Sequence, residues 1–570
     1  MRDWKNLLPC TRWLRQYNRN LLVGDLIAGI IVTIMVVPQS LAYAMLAGLP
    51  PEVGLYAGML PLLAYALFGT SRTLAVGPVA VVSLLTAAAV GKVAAVGSPE
   101  YVTAAVTLAF LSGLMLLGMG LLRLGFLANF LAHPVISGFI TASSILIAVS
   151  QLQHILGIET HGESFYQIVL SLVGQLGAVN GPTLIIGAAA LAFLFWVRRW
   201  LQPLLMRLGM HQRAAALTSK VGPVLVVIVS TLAAYLFKLE QQGVALVGEL
   251  PQGLPSLGLP SLDMGLWSQL VGSALLLSII GFVESVSVGH TLAAKRRQRI
   301  NPNQELIGLG AANAASAVSG GMPVTGSFSR SVVNFDSGAE TPAAGVFSAA
   351  GIALVALFLT PLLFYLPKAT LAATVIVAVL SLVDLTVVKR AWCYSLSDFV
   401  AVTTTILVTL LFGVELGVLS GVSASIALHL YKTSRPHIAV VGKLPGTEHF
   451  RNVKRHTVIT YPQIVSLRVD ESLYFANASY LQDEIYRTLA DNRDVKHIVI
   501  MCTAVNEIDM SALDALKAIN TQLAEQGIQL HLSEVKGRVM DALKRTDLLD
   551  HLSGRVFLSQ HQAIQALKDL

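Results

Sequence analysis

The chain has 570 residues, 54% hydrophobic and only 12% charged, a balance too apolar for a soluble globular protein and suited to one that crosses a bilayer many times. The net charge of +7 raises nucleic acid as a partner, but the Lys/Arg excess that membrane proteins keep on cytoplasmic loops accounts for it, and no nucleic-acid partner is expected. Cys10, Cys393 and Cys502 are too scattered for a disulfide framework or a metal site.

Residues 1–20 read as a cytoplasmic segment, because Arg2, Lys5, Arg12, Arg15 and Arg19 precede the first apolar run. The opening Met1-Arg2-Asp3-Trp4-Lys5 has no cleavable signal, and the run that starts near Leu21 is long enough to stay in the bilayer. From 21 to 432 the chain is membrane-like, with expected spans at 22–47, 53–69, 76–92, 101–121, 133–154, 183–201, 221–237, 267–293, 305–319, 326–338, 343–363, 369–387, 396–413 and 414–431. Residues 164–178 read as an interfacial helix. The third and tenth spans fall short of the ~20 residues a crossing needs.

Loop charge supports fourteen spans with both termini cytoplasmic. One set of loops carries Arg72; Arg123; Arg198, Arg199, Arg207, Arg213 and Lys220; Lys295, Arg296, Arg297 and Arg299; Lys389 and Arg390; Lys432 and Arg435. The opposite set holds mainly Lys92, Lys238 and Lys368 among the acids Glu100, Glu159, Glu163, Glu240, Glu249 and Asp263. The expectation is a multi-pass protein of the inner (plasma) membrane, its partner surface the lipid bilayer.

An internal repeat is visible. Gln39-Ser40-Leu41-Ala42-Tyr43-Ala44 interrupts the first span, and Glu284-Ser285-Val286-Ser287-Val288-Gly289 interrupts the eighth, 245 residues later. Val76-Gly77-Pro78 precedes one short helix, and Gly326-Ser327 opens another at an offset of 249. Seven spans, an odd number, separate the copies, so the second is inverted. Paired short, Gly/Pro-broken segments in inverted halves point to a binding site near the midplane.

The key stretch is Gly320-Gly321-Met322-Pro323-Val324-Thr325-Gly326-Ser327-Phe328-Ser329-Arg330. Irregular backbone survives at membrane depth only where protein or a watery cavity surrounds it. A helix restarting near Thr325 leaves its first N–H groups unpaired at the positive end of its dipole, an anion site to which Arg330 adds a full charge. Hydroxyls at Thr325 and Ser329 either donate to the anion or bond back to helix carbonyls.

Residues 433–450 read as a linker and 451–570 as a small α/β domain. Strands are expected at 464–469, 497–501 and 528–532, with helices near 478–490, 511–526 and 537–546.

Four segments carry a resemblance across essentially the whole chain: Pro38-Gln39-Ser40-Leu41-Ala42-Tyr43-Ala44, Gly48-Leu49-Pro50-Pro51-Glu52-Val53-Gly54-Leu55-Tyr56, Pro323-Val324-Thr325-Gly326-Ser327-Phe328-Ser329-Arg330, and Ser337-Gly338-Ala339-Glu340-Thr341-Pro342. They resemble the SulP (sulfate permease) family of anion transporters. The tail resembles a STAS domain, marked by Ile508-Asp509-Met510-Ser511-Ala512-Leu513 at a strand-to-helix turn. The resemblance implies a seven-plus-seven inverted repeat split into core and gate domains, an elevator-type movement of the core, and a homodimer. It also implies a substrate between the facing N-termini of the third and tenth helices, lined by Val76, Gly77, Thr325, Gly326, Ser327, Phe328, Ser329 and Arg330. Ser511 matches the serine phosphorylated in bacterial antagonists of the STAS fold, but a serine there also reads as the ordinary helix cap. The STAS domain offers a docking point for a cytosolic protein.

Glu284 is an ionisable group deep in an apolar span, a functional residue by default; the plainer reading is an ion pair with Arg330. A substrate anion competing for Arg330 would govern protonation of Glu284 and couple anion entry to proton uptake. Sodium–bicarbonate members of the family carry aspartate at the Glu284 position and threonine one turn on; here that turn holds Val288, which has no oxygen for sodium. Gln39 and Tyr43 are placed to hydrogen-bond substrate. No Walker loop, His/Cys metal set or Ser/His/Asp group appears, so neither an enzyme nor a cofactor is expected. The reading is proton-coupled sulfate uptake. Bicarbonate or dicarboxylate transport, an uncoupled exchanger or channel, and an anion-sensing STAS protein are the alternatives.

Overall fold

The computed structural model describes residues 8–568 except 130–132, 161, 163, 212–214, 216, 217, 219–221 and 493. Arg2, Lys5, Glu163, Arg213 and Lys220, part of the loop-charge pattern, lie outside the described residues. The chain forms two units, one ending at Ala424 and the other Ser425–Leu570.

The first unit is helical. Among the described residues eight helices are long and apolar enough to cross a membrane, and five apolar helices are shorter. Helix α1 (Arg19–Leu46) is capped by Asn18, whose Oδ1 accepts the N–H groups of Asn20 and Leu21 at 3.0 Å. Pro38 inside it removes one ladder donor just before Gln39. The expected second span is two pieces, Pro51–Tyr56 and Leu60–Phe68. Gly54 in the first piece lies so close to α1 that a Cβ would stand 1.9 Å from the Ser40 carbonyl oxygen.

The third and tenth expected spans are each a short strand followed by a half-helix. Strand β1 (Ala75–Gly77) leads to α2 (Ala80–Val90), and β2 (Thr325–Ser327) to α6 (Phe328–Asp336). At 1.5 Å per residue these helices of 11 and nine residues reach only about 16 and 14 Å. Between them come α3 (His133–Leu156), α4 (Met264–Lys295) and α5 (Pro302–Val318).

Most of the packing falls within two groups of helices, with α1 also touching Lys368–Leu380 of the second. Helix α4 lies against Pro99–Leu121, α2 and β2, while α5 lies against Pro99–Leu121 and Leu60–Phe68, and α1 against Ala343–Leu354 and α6. Helix α3 instead packs on Gly181–Trp196, Lys368–Leu380 and Leu396–Phe412. The expected interfacial helix is present as Phe165–Gly174, closed by a capping box between Ser164 and Gln167. The expected span 369–387 stops at Leu380; a separate helix, Thr386–Tyr394, follows, with Asp384 accepting the Thr386 N–H at 2.9 Å.

Two buried carboxylates fix the loops around the half-helices. Glu305, at the start of α5, accepts the Tyr65 hydroxyl at 2.6 Å and the N–H groups of Thr70 and Ser71 at 2.7 and 3.0 Å. Asp25 in α1 accepts the N–H groups of Glu340 and Thr341 at 2.7 and 3.0 Å. Charge-assisted bonds of this kind are the strong ones.

The second unit is a six-stranded mixed sheet flanked by helices. Its strands are β3 (Ile438–Lys443), β4 (Phe450–Asn452), β5 (Ile464–Val469), β6 (His497–Met501), β7 (Gln529–Ser533) and β8 (Val556–Phe557), in the order β4-β3-β5-β6-β7-β8. Pairs β5–β6, β6–β7 and β7–β8 are parallel; β3 pairs antiparallel with β4 and β5. Residues 433–450, expected as linker, therefore supply a strand of the sheet. Ala439 and Val441 are buried there, which joins the strand to the core.

Two histidines are buried in this sheet. His531 Nδ1 accepts the Arg555 N–H at 2.9 Å, and its Nε2 lies 3.2 Å from His497 Nδ1. An acceptor at Nδ1 and a neighbour at Nε2 suit a neutral ring, and burial lowers the His531 pKa from 6.5 to about 4, helped by His497 and Arg555. Since the folded state then binds fewer protons than the unfolded one, stability is full above about pH 6.5 and falls as pH drops towards 4. Hydrogen exchange in β6 and β7 of the full chain, corrected for intrinsic rate, should accelerate over that window, and His531→Gln should flatten the dependence.

Candidate anion-binding site

Strands β1 and β2 run antiparallel, with Ala75 opposite Ser327, Val76 opposite Gly326 and Gly77 opposite Thr325. Helix α2 therefore leaves one end of the pair and α6 the other, and their N-termini face across it. The chain chemistry favours this. Pro78 biases Gly77 to an extended backbone, Gly77 sits at φ +156°, and Ser327 caps α6 by accepting the Arg330 N–H.

Arg330 lies in the first turn of α6 and is only 1% exposed. Its Nη2 donates to the Pro78 carbonyl at 2.6 Å, linking α6 to the start of α2. Nε and Nη1 have no hydrogen-bond partner among the described residues. A guanidinium offers five N–H groups in a fixed fork, and buried polar groups are nearly always satisfied, so a buried arginine with two bare nitrogens is prepared for an acceptor. Gly77 keeps the approach clear: a Cβ there would stand 3.4 Å from Nη2 and 3.5 Å from Nη1.

The other expected residues divide. Phe328 is 46% exposed and Ser329 half-buried, so the first turn of α6 borders open space. Thr325 goes the other way. Its hydroxyl donates to the Gly281 carbonyl of α4 at 2.7 Å and lies 2.7 Å from the Ser285 hydroxyl. Gly326 gives its N–H to Ser285 Oγ at 2.8 Å. Both are tied to α4, which leaves the Thr325 side chain a structural part, and Val76 is a buried wall opposite Gly326. Tyr43, 6% exposed, is within electrostatic reach of Arg330. Gln39 lies one turn earlier on the same face of α1, its Oε1 buried without a partner among the described residues.

Glu284 forms no ion pair with Arg330 among the described residues, so the plain ion-pair reading does not hold, although the two interact electrostatically. Its neighbour Ser285 turns to β2, while Glu284 borders a small cavity with Val135, Ile136, Phe139 and Ile140 of α3. Sequence reading missed Ser285, Glu305 and Asp25, whose signal is a polar side chain within or beside an apolar run. It also placed the cap two residues too late in the second unit. In α7 (Met510–Glu525) the cap is Asp509, which accepts the Ala512 N–H at 2.8 Å and the Phe475 N–H at 2.8 Å. Ser511 is exposed and does not cap.

A site built from two helix starts and a bare guanidinium suits a small anion as cargo, and the class of protein is a multi-pass membrane anion transporter. The first unit matches the sulfate permease family over residues 22–405, and the second the STAS domain over 456–563. Sulfate transporter 4.1, chloroplastic, of Arabidopsis thaliana is 38% identical over 99% of this chain and 83% of its own length. A Mycobacterium tuberculosis protein named as a probable sulfate transporter is 33% identical over 97% of both chains. The solved structure of the murine Solute Carrier 26 family member A9 anion transporter, inward-facing, aligns with TM-score 0.88 and 25% identity over 99% of this chain and 94% of that one. The chain belongs to the sulfate permease family and carries a C-terminal STAS domain; it is a transporter and not an enzyme.

Gly77→Ala sets a methyl group against the guanidinium and strains a backbone that favours glycine. Oxyanion affinity should fall about tenfold, ~1.4 kcal/mol, with the thermal unfolding midpoint nearly kept; equilibrium binding of radiolabelled oxyanions to purified protein measures it.

Proposed function

We propose that the protein takes up sulfate together with protons, as a secondary active transporter whose core moves like an elevator against its gate. The observation that carries this reading is Arg330, fully buried, bonded once to Pro78 and bare at Nε and Nη1. A planar, permanently charged fork suits an oxyanion, and the N-terminus of α6 adds N–H groups and the positive end of its dipole. The sulfate assignment draws on the names of the plant and mycobacterial relatives. Bicarbonate or a dicarboxylate would use the same donors.

Glu284 is the coupling group in this reading. An anion at Arg330 offsets the positive charge that Glu284 senses, and the carboxylate takes a proton, which keeps the moving core close to neutral. Val288, one turn on, is buried and aliphatic, so that turn supplies no side-chain oxygen for a hard cation. Fourteen spans, cytoplasmic termini and a homodimer belong to the same proposal, as does regulation through the exposed Ser511 of the STAS domain.

Radiolabelled sulfate uptake into proteoliposomes, with and without an inward proton gradient, tests the reading. Wild type should show gradient-stimulated uptake and Glu284→Gln should lose the stimulation. Arg330→Lys keeps the charge but loses the fork, and should raise the sulfate KM about tenfold. Movement of bicarbonate or a dicarboxylate without sulfate would overturn the substrate, and gradient dependence surviving in Glu284→Gln would return the carboxylate to a structural role.

A further inference from the structure

Helix α4 carries Glu284, Ser287 and His290 at intervals of three, a spacing that sets them in one slanting row. Glu284 borders a cavity of about 20 Å³, lined also by Val135, Ile136, Phe139, Ile140, Ile280, Val283 and Val418. That volume admits about one water molecule. Ile136 and Val283 also wall a second, larger cavity of about 320 Å³. Ser287 and His290 of α4 and His133 at the start of α3 line it, and all three are exposed. The two cavities thus share a wall of two aliphatic side chains, with a carboxyl group on one side and two imidazoles on the other.

The surroundings fit the movement of protons better than the binding of a charged ligand. His133 and His290 are the titratable groups among the lining residues. The turn at Leu124–Asn129 contributes Gly125 and Phe126, and α5 contributes Pro302 and Asn303, whose Oδ1 is occupied by the Gly125 N–H at 2.8 Å. Among the described residues no carboxylate or ammonium lines the larger cavity. On the far side of Glu284 the groups it senses include Arg330, and Tyr43 lies within the same electrostatic set. Neither imidazole has a hydrogen-bond partner among the described residues, so each is available to water. Histidine is the side chain that exchanges protons readily near neutral pH. The row ends five residues before Lys295, where the basic stretch Lys295-Arg296-Arg297-Arg299 begins, the side read as cytoplasmic.

We propose that His290 and His133, with the Ser287 hydroxyl, form a proton relay between Glu284 and the solution bathing the larger cavity. On release the Glu284 carboxyl gives its proton to water in the small cavity, the water passes a proton past Ser287 to an imidazole, and the imidazolium loses one to bulk water. Each step breaks one O–H or N–H bond and forms another, so the water and the imidazoles return to neutral and the negative charge stays on the Glu284 carboxylate. Helices α3 and α4 belong to the two different packing groups of the first unit, so a movement of one group against the other would open or close the shared wall. The relay rests on the reading of Glu284 as the coupling group.

The test uses the full chain in proteoliposomes, with two readouts: sulfate uptake driven by a proton gradient, and sulfate–sulfate exchange at equal pH. In the double variant His133→Gln/His290→Gln, driven uptake should fall about tenfold while exchange stays within about twofold. Imidazole added on the side facing the cavity should restore driven uptake, a rescue that a merely structural role would not give. Driven uptake unchanged in the double variant, with Glu284→Gln still uncoupled, would overturn the relay and leave the coupling reading intact. Both readouts falling together, without imidazole rescue, would overturn it as well. Gradient dependence persisting in Glu284→Gln would remove the coupling reading and the relay with it.

Discussion

The hydrogen bond from Arg330 to the Pro78 carbonyl holds the rest in place. It places a full positive charge where two helices begin, and it spans residues 252 apart in sequence. A guanidinium at such depth is expensive unless its N–H groups are used. Here one nitrogen is spent on the backbone and two are left bare, so part of the desolvation is uncompensated until an acceptor arrives. The protein keeps a destabilised element at its centre, as functional sites generally do.

Such an element persists only if its surroundings are over-determined, and the structure shows how. Glu305 holds the loop before β1, Asp25 the loop after α6, and Ser285 ties β2 to α4. All three use short polar side chains on long apolar helices to satisfy backbone N–H groups that the breaks in helix leave over. The breaks around the two half-helices are closed by polar groups from other helices. The arrangement agrees with the rule that irregular backbone at membrane depth must be repaired by neighbouring protein.

Much of this is legible in the amino-acid sequence. Gly77-Pro78 and Pro323 to Gly326 stood out because breakers in apolar runs have few explanations, and Arg330 because charge there is costly. Ser285 was not legible as an anchor, since a hydroxyl inside a helix does not reveal which face it serves or that its partner lies 41 residues away. Thr325 was named for the anion, yet its hydroxyl belongs to α4; only the fold decides between a carbonyl and a cargo. The expected span 369–387 overruns its helix, which stops at Leu380, and most of Thr386–Tyr394 falls in the expected loop, because Lys389 and Arg390 mark that stretch as polar. Strand β3 passed as linker because its pairing with β5 is non-local, and β4 and β8, three and two residues long, are too short to carry a period.

The antiparallel contact of β1 with β2 has a bearing on how the molecule is made. Its strands belong to opposite copies of the repeat, separated by about 250 residues of chain. At the usual pace of synthesis, about 5–20 residues per second, the ribosome needs roughly 12–50 s between releasing one and the other. Through that interval α2 is a half-helix with an unpaired strand before it, in a bilayer that offers nothing to complete it. The guanidinium that will face it has not yet been translated. A chain interrupted before Thr325 therefore carries neither β2 nor the Arg330 guanidinium that bonds the Pro78 carbonyl.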